Sequence, residues 1–175
     1  MTPFLIIQIL VTALIPFFLF LTALIIFAYM LRGAPYLAST RSRVEKIIEL
    51  ADVKLGEKAA DLGSGDGRIV IAFAKAGAEA HGYEINPLLV LWARYNVYKA
   101  RLRDRAFIHW KSFWRENFGK FDVITIYGIP YIMKGLEKKL KKEMKPSARV
   151  ISSTFTFPTW LHSKKEDEIY LYKKA

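Results

Sequence analysis

Cysteine is absent from the chain, which excludes disulfides, thiolate metal sites and a cysteine nucleophile. Only three histidines occur, His81, His109 and His162, with no His-x-x-x-His pair or acidic cluster near them, so no metal site is expected. Charge is missing from the first 31 positions, which makes Phe4 to Leu31 a run of 28 uncharged residues. Only Gln8, Thr12, Pro16 and Thr22 interrupt its apolar character. A basic segment ahead of this run is lacking, and no small-x-small site follows it, which argues against a cleaved leader. Internal repeats and low-complexity linkers are absent as well.

As a helix, the uncharged run would be about 42 Å long, against a hydrocarbon core of about 30 Å. That suffices for one membrane crossing, with tilt or a kink at Pro16, and is too short for two. Arg32, Arg41 and Arg43 follow the run and no Lys or Arg precedes it, so positive charge would hold the remainder on the cytoplasmic side. The expected division is a single-pass anchor over 1–32 and a separate domain over 33–175. Apart from Arg32, every charged residue of the chain, whose net charge is +11, lies in that domain. Anionic lipid, nucleic acid, an acidic partner or simple solubility could each account for it. Basic and aromatic residues show no base-stacking alternation along any one element, which disfavours nucleic acid.

The most informative stretch is Asp61-Leu62-Gly63-Ser64-Gly65-Asp66-Gly67-Arg68. It reads as a strand end, a tight turn and a helix start. Alternate glycines let the backbone approach a ligand where a Cβ would clash, and the helix N-terminus points free N–H groups at it. Seventeen residues past Gly67, Glu84 ends a second strand-like run, Ala80 to Glu84, where a carboxylate can accept both ribose hydroxyls. The Gly-x-Gly-x-Gly spacing points to S-adenosylmethionine rather than a dinucleotide.

Further elements follow in order. Ser39 or Thr40 caps a helix over Arg41–Ala51, and Gly77 ends a helix begun at Arg68. Asn86-Pro87 starts a helix running to about Arg101. Ala106–Trp110 and Phe121–Tyr127 read as strands, and Ile132–Met144 as a lysine-rich helix covering a sheet. Arg149–Phe155 reads as a fifth strand. Pro158–Lys165 is too short for a crossover helix, so an antiparallel hairpin is expected at one sheet edge, with Trp160 in its first arm. The fold class is therefore α/β, a Rossmann-like, doubly wound, mostly parallel sheet with a C-terminal hairpin, preceded by one transmembrane helix.

Several segments together resemble the seven-strand, class I methyltransferases that use S-adenosylmethionine. More specifically, they resemble the family of the ATP synthase c-subunit lysine N-methyltransferase and small archaeal protein lysine methyltransferases. The matching pieces are Ala34-Pro35-Tyr36 with Ser39-Thr40, Asp61 to Arg68, Gly82-Tyr83-Glu84-Ile85-Asn86-Pro87, Arg149-Val150-Ile151-Ser152 and Phe157-Pro158-Thr159-Trp160. One departure is Lys111-Ser112-Phe113-Trp114, where the family often has an acidic residue near the adenine.

The expected cofactor site comprises Tyr36, Asp61, Gly63, Ser64, Gly65, Asp66, Gly67, Arg68, Glu84, Asn86 and Ser112. Asp61 braces the loop and receives the ammonium, Glu84 binds the ribose, and Asn86 or Ser112 completes the nucleoside pocket. Tyr36 is either a membrane-interface aromatic or folds over the site. A lysine acceptor must be neutral although its ordinary pKa is about 10.4, and an aromatic, water-poor slot favours that form. Tyr127, Pro130, Tyr131 and Trp160, with Phe155, are the expected wall of such a slot. Tyr127-Gly128-Ile129-Pro130 lacks the amide or acid of loops that recognise flat nitrogens in nucleic acids or glutamine. The reading is a membrane-anchored protein lysine N-methyltransferase acting on a membrane-associated protein. A methyltransferase of a lipid or small hydrophobic acceptor, or a non-catalytic cofactor-binding module, stays open.

Overall fold

The computed structural model describes residues 3–32 and 39–174. The chain forms two units, Met1–Pro35 and Tyr36–Ala175. The first contains one helix, α1 (Pro3–Arg32), with Pro16 inside it. Its Thr12 and Thr22 hydroxyls donate to the carbonyls of Gln8 and Leu19, at 2.9 and 2.8 Å. Side chains along α1 are described at Pro3, at Gln8 and over 11–25. Among the described residues, no helix is long and apolar enough to cross a membrane.

The second unit alternates helices and strands. In order these are α2 (Arg41–Ala51), β1 (Lys58–Leu62), α3 (Arg68–Lys75), β2 (Glu79–Glu84), α4 (Pro87–Lys99), β3 (Ala106–Trp110), β4 (Val123–Tyr127), α5 (Pro130–Glu143), β5 (Arg149–Ser153), β6 (Lys164–Glu166) and β7 (Ile169–Lys173). The strands form one seven-stranded sheet in the order β3-β2-β1-β4-β5-β7-β6. β1 to β5 are mutually parallel, and β7 runs antiparallel between β5 and β6. The strand order reverses between β1 and β4, and the crevice beyond their C-terminal ends is where such sheets bind ligands.

The central strands are apolar on both sides because both are covered. On one side Ile47 and Leu50 of α2, Val70 and Phe73 of α3, and Val90, Ala93 and Val97 of α4 meet Ala59, Ala80, Val123 and Ile151. On the other, Met133, Leu136 and Leu140 of α5, with Phe118 and Phe121, meet Ala60, Leu62, Ile124 and Val150. Thr40 caps α2, accepting from the Arg43 N–H, and Asn86 caps α4, accepting from Leu88 and Leu89.

Three local expectations need correction. Helix α5 starts at Pro130 rather than Ile132, because proline's fixed φ suits a first helical position. Pro130 and Tyr131 therefore lie on its first turn and not in a loop. Strand β5 stops at Ser153, because Thr154 takes a left-handed conformation (φ 71°) that leaves the strand. Trp160 precedes the hairpin instead of lying in its first arm. The chain runs back along α5 and delivers Trp160 beside Phe157 and Tyr172, its indole N–H donating to the Lys173 carbonyl at 3.2 Å.

This return segment is clamped by a buried carboxylate. Glu137 of α5 accepts from the Thr159 N–H (3.0 Å) and hydroxyl (2.5 Å) and from the Lys141 ammonium (2.6 Å). The Pro-Thr-Trp motif is thus a docking device that replaces a crossover helix. Glu137→Ala should lower the unfolding free energy by about 2 kcal/mol, the cost of stranding buried partners of a charged group, read from urea denaturation.

Candidate active site

Beyond β1 the chain turns through Gly63, Gly65 and Gly67 at φ 85°, 53° and 81°, conformations that side-chain-bearing residues rarely adopt. The N–H groups of Gly63 and Ser64 donate to the Tyr83 carbonyl at 2.9 and 3.1 Å, which fastens the loop to the end of β2. The Asn96 amide of α4 donates to the Asp66 carbonyl at 2.9 Å and holds the loop from the other side. Asp66 and Arg68 form a strap. Arg68 Nε lies 2.9 and 3.1 Å from the two Asp66 oxygens, and its Nη1 donates to the Ser39 carbonyl just before α2.

Glu84 is fixed by three backbone donors. Its Oε2 accepts from Gly65 at 3.1 Å, and its Oε1 accepts from Ile85 at 2.7 Å and Asn86 at 2.8 Å. A carboxylate has about four acceptor positions, so capacity remains for a ligand hydroxyl. Asp61, at the end of β1, is buried and accepts from the Thr125 hydroxyl of β4 at 2.9 Å. Burial chiefly, with the charges of Glu84 and Asp66, pushes its pKa up to about 7, against the pull of the Thr125 bond. Among the described residues no lysine or arginine pairs with Asp61 or Glu84. The Ser64 hydroxyl is buried with no hydrogen-bond partner among the described residues. Two acids without a cation and an unpaired buried hydroxyl, lined up along a glycine loop, suit a ligand with an ammonium, hydroxyls and a carboxylate.

Gly82 allows this arrangement. A Cβ there would meet the Ser64 hydroxyl at 2.6 Å, Ser64 Cβ at 2.7 Å and Val70 Cγ2 at 2.8 Å. Gly82→Ala should therefore cost about 2 kcal/mol of stability by overpacking, measured by denaturant unfolding.

The remaining expected residues separate into groups. Tyr36 lies outside the described residues. The Asn86 side chain is engaged in capping α4. Ser112 is half-buried at the start of a 3₁₀ turn, one residue past Lys111, whose N–H donates to the Glu84 carbonyl at 3.1 Å. Tyr127 ends β4, half-buried, and Pro130 and Tyr131 follow it, exposed. Trp160 is not brought to this edge. Its partner Lys173 pairs with Arg149, at the opposite end of β5 from Ser153. Phe155 leaves β5 at the correct end, its N–H donating to the Ser153 carbonyl at 2.9 Å. Sequence reasoning missed Thr125, Asn96 and Trp110. Trp110 lies opposite Glu84 in the β2–β3 register and donates to the Ile85 carbonyl at 3.1 Å.

The sheet order, the inserted antiparallel β7 and the acid-flanked glycine loop define a class I methyltransferase. Residues 61–164 match the ANTKMT methyltransferase domain, and the chain belongs to that family. It is 40% identical over 126 residues to the ATP synthase c-subunit lysine N-methyltransferase of Rattus norvegicus, covering 72% of this chain and 58% of that protein. The match thus spans less than two thirds of the rat protein's length. The chain is 34% identical over 128 residues to a protein-lysine N-methyltransferase of Saccharolobus islandicus strain REY15A, covering 72% of this chain and 80% of that one. An RNA methyltransferase from Salinibacter ruber, solved with S-adenosyl-L-homocysteine, superposes with a TM-score of 0.73 at 30% identity, over 79% of this chain and 92% of that one.

Proposed function

We propose that the chain is a membrane-anchored, S-adenosylmethionine-dependent protein lysine N-methyltransferase. The observation that carries the cofactor is the pair Asp61 and Glu84, two carboxylates without a cationic partner among the described residues, set across the glycine loop. In this reading Glu84 accepts a ribose hydroxyl, Asp61 faces the ammonium, and Ser64 and the loop hold the methionyl end. When bound, the cofactor supplies an electrophilic methyl group on its sulfonium. The protein's task is then to align an amine with it and exclude water, which is positioning rather than covalent catalysis. Tyr127 at the end of β4, Pro130 and Tyr131 on the first turn of α5, and Phe155 just past β5 are our candidates for one wall of the acceptor site. An apolar wall there favours the neutral amine.

Lysine as acceptor rests on kinship with the rat and archaeal enzymes. The reading of an anchor rests on the uncharged sequence run from Phe4 to Leu31, with the two threonine hydroxyls satisfied within the helix. Arg32, Arg41 and Arg43 beyond it favour a domain facing the cytoplasm. An anchor would raise the effective concentration of membrane-associated substrates. An RNA acceptor is the second reading, favoured by the Salinibacter relative. Isotopically labelled S-adenosylmethionine incubated with the full chain and a membrane extract separates these. Label in a protein band that resists nuclease and organic extraction is expected. Label lost to nuclease, or carried into the lipid phase, would overturn the lysine reading.

A further inference from the structure

Helix α4 is apolar on two faces, and among the described residues one is packed against the sheet while the other carries large exposed side chains. Val90, Ala93 and Val97 are buried against the sheet. Leu88, Leu91, Tyr95 and Tyr98, at helical spacing on the outer side, are 74, 62, 60 and 61% exposed. Trp110, at the end of the edge strand β3, is 66% exposed. Large apolar side chains scattered singly over a surface are ordinary, whereas a contiguous patch of them marks an interaction site.

The rim of this patch is cationic. Residues 87–105 contain Arg94, Lys99, Arg101, Arg103 and Arg105 against a single acid, Asp104, which pairs with Arg105 at 3.1 Å. Beside the stripe, between α4 and β3, opens a cleft of about 510 Å³ lined by Arg94, Tyr95, Tyr98, Arg103, Phe107 and His109. Arg94 is held there by two bonds to the Ile108 carbonyl, at 3.2 and 3.0 Å, and Arg103 lies 5.7 Å from the Tyr98 ring centre.

We infer that this face docks on an anionic phospholipid bilayer, with the leucines at the acyl boundary, the tyrosines and Trp110 at headgroup level, and a lipid phosphate in the arginine-lined cleft. An exposed apolar stripe with a cationic rim combines the two attractions that hold a protein surface at anionic lipid, apolar burial and charge. A second copy of the chain would set like charge against like charge. A nucleic acid would gain nothing from Leu88 and Leu91, which cannot stack on bases. The surface belongs to the catalytic domain and does not depend on α1. Leu88 and Trp110 lie at the strand edge that carries Glu84, so docking would hold the cofactor end of the domain at headgroup depth.

The cysteine-free sequence makes the test direct. In the full chain, Leu91→Cys and, as a control on exposed α5, Lys138→Cys are each labelled with an environment-sensitive fluorophore. Both proteins are reconstituted with phosphatidylcholine vesicles and with vesicles that also contain phosphatidylglycerol. The label at position 91 should shift to the blue and be quenched by spin-labelled lipid roughly threefold more with phosphatidylglycerol, an effect abolished by Arg101→Glu with Arg103→Glu. The label at position 138 should remain in water in both. Flotation with pure phosphatidylcholine reports the α1 anchor separately. A chain that floats with phosphatidylglycerol vesicles while its position-91 label stays as solvent-exposed as the control overturns the inference. So does shielding of that label by RNA or soluble protein instead of vesicles.

Discussion

Glu84→Gln is expected to weaken S-adenosylmethionine binding by about 100-fold, roughly 3 kcal/mol, the upper range for hydrogen bonds to a charged group. The carboxylate does two jobs with two oxygens. Three backbone N–H groups, from Gly65, Ile85 and Asn86, orient it, and its remaining acceptor capacity faces the crevice. An amide has nearly the same size but only one acceptor atom. Its NH₂ must point at Gly65 or at the Ile85–Asn86 pair, where donor meets donor. The loop loses a tie to β2 and the ribose loses a charged partner. Isothermal titration with S-adenosylmethionine reads the affinity. Thermal unfolding without ligand reads the structural part, which should be the smaller of the two effects. Binding within threefold of the parent protein would remove Glu84 from the site.

The second large effect is a pH dependence centred on Asp61. Its folded pKa is raised from 3.8 to about 7, chiefly by burial and further by Glu84 and Asp66. The stability that the neutral form contributes is full below about 3.8 and is lost as pH rises through about 7. A cofactor ammonium beside Asp61 favours the carboxylate, so binding below that pKa must expel a proton. Affinity should fall by up to about tenfold for each pH unit below it, the limit for one coupled proton. Asp61→Asn should flatten this profile and weaken binding, yet raise the melting temperature of the ligand-free protein in mildly alkaline buffer. Opposite signs on stability and affinity mark a functional acid rather than a structural one. A profile unchanged by Asp61→Asn would assign the titration to another group.

The sequence made local features plain and left paired ones hidden. The glycine loop, the acid ending β2 and the Asn-Pro helix start are each encoded within a few neighbouring residues, and they stand where they were expected. Thr125 supports Asp61 from across the β1–β4 pair, 64 positions away, and nothing in the run Val-Ile-Thr-Ile marks that threonine as special. Ser64 and Gly82 fit each other only once β1 and β2 lie side by side. Trp160 follows from one left-handed residue, Thr154, which ends β5 early and sends the chain back along α5, away from the cofactor edge. The outer face of α4 was obscured for another reason. With apolar residues on two sides the helix has no clear polar face, so periodicity could not tell the side that meets the sheet from the side left exposed.

Methyl transfer to lysine on a membrane-associated protein, as proposed, is tested most directly by one comparison. Membrane proteins are analysed by mass spectrometry for methyl-lysine from cells with the gene, without it, and with it restored as Glu84→Gln. A lysine methylated only with the intact gene, and unmodified in the Glu84→Gln cells, is the predicted result. Identical methyl-lysine patterns in all three, with the gene-dependent methyl mark found in RNA or lipid instead, would contradict the account.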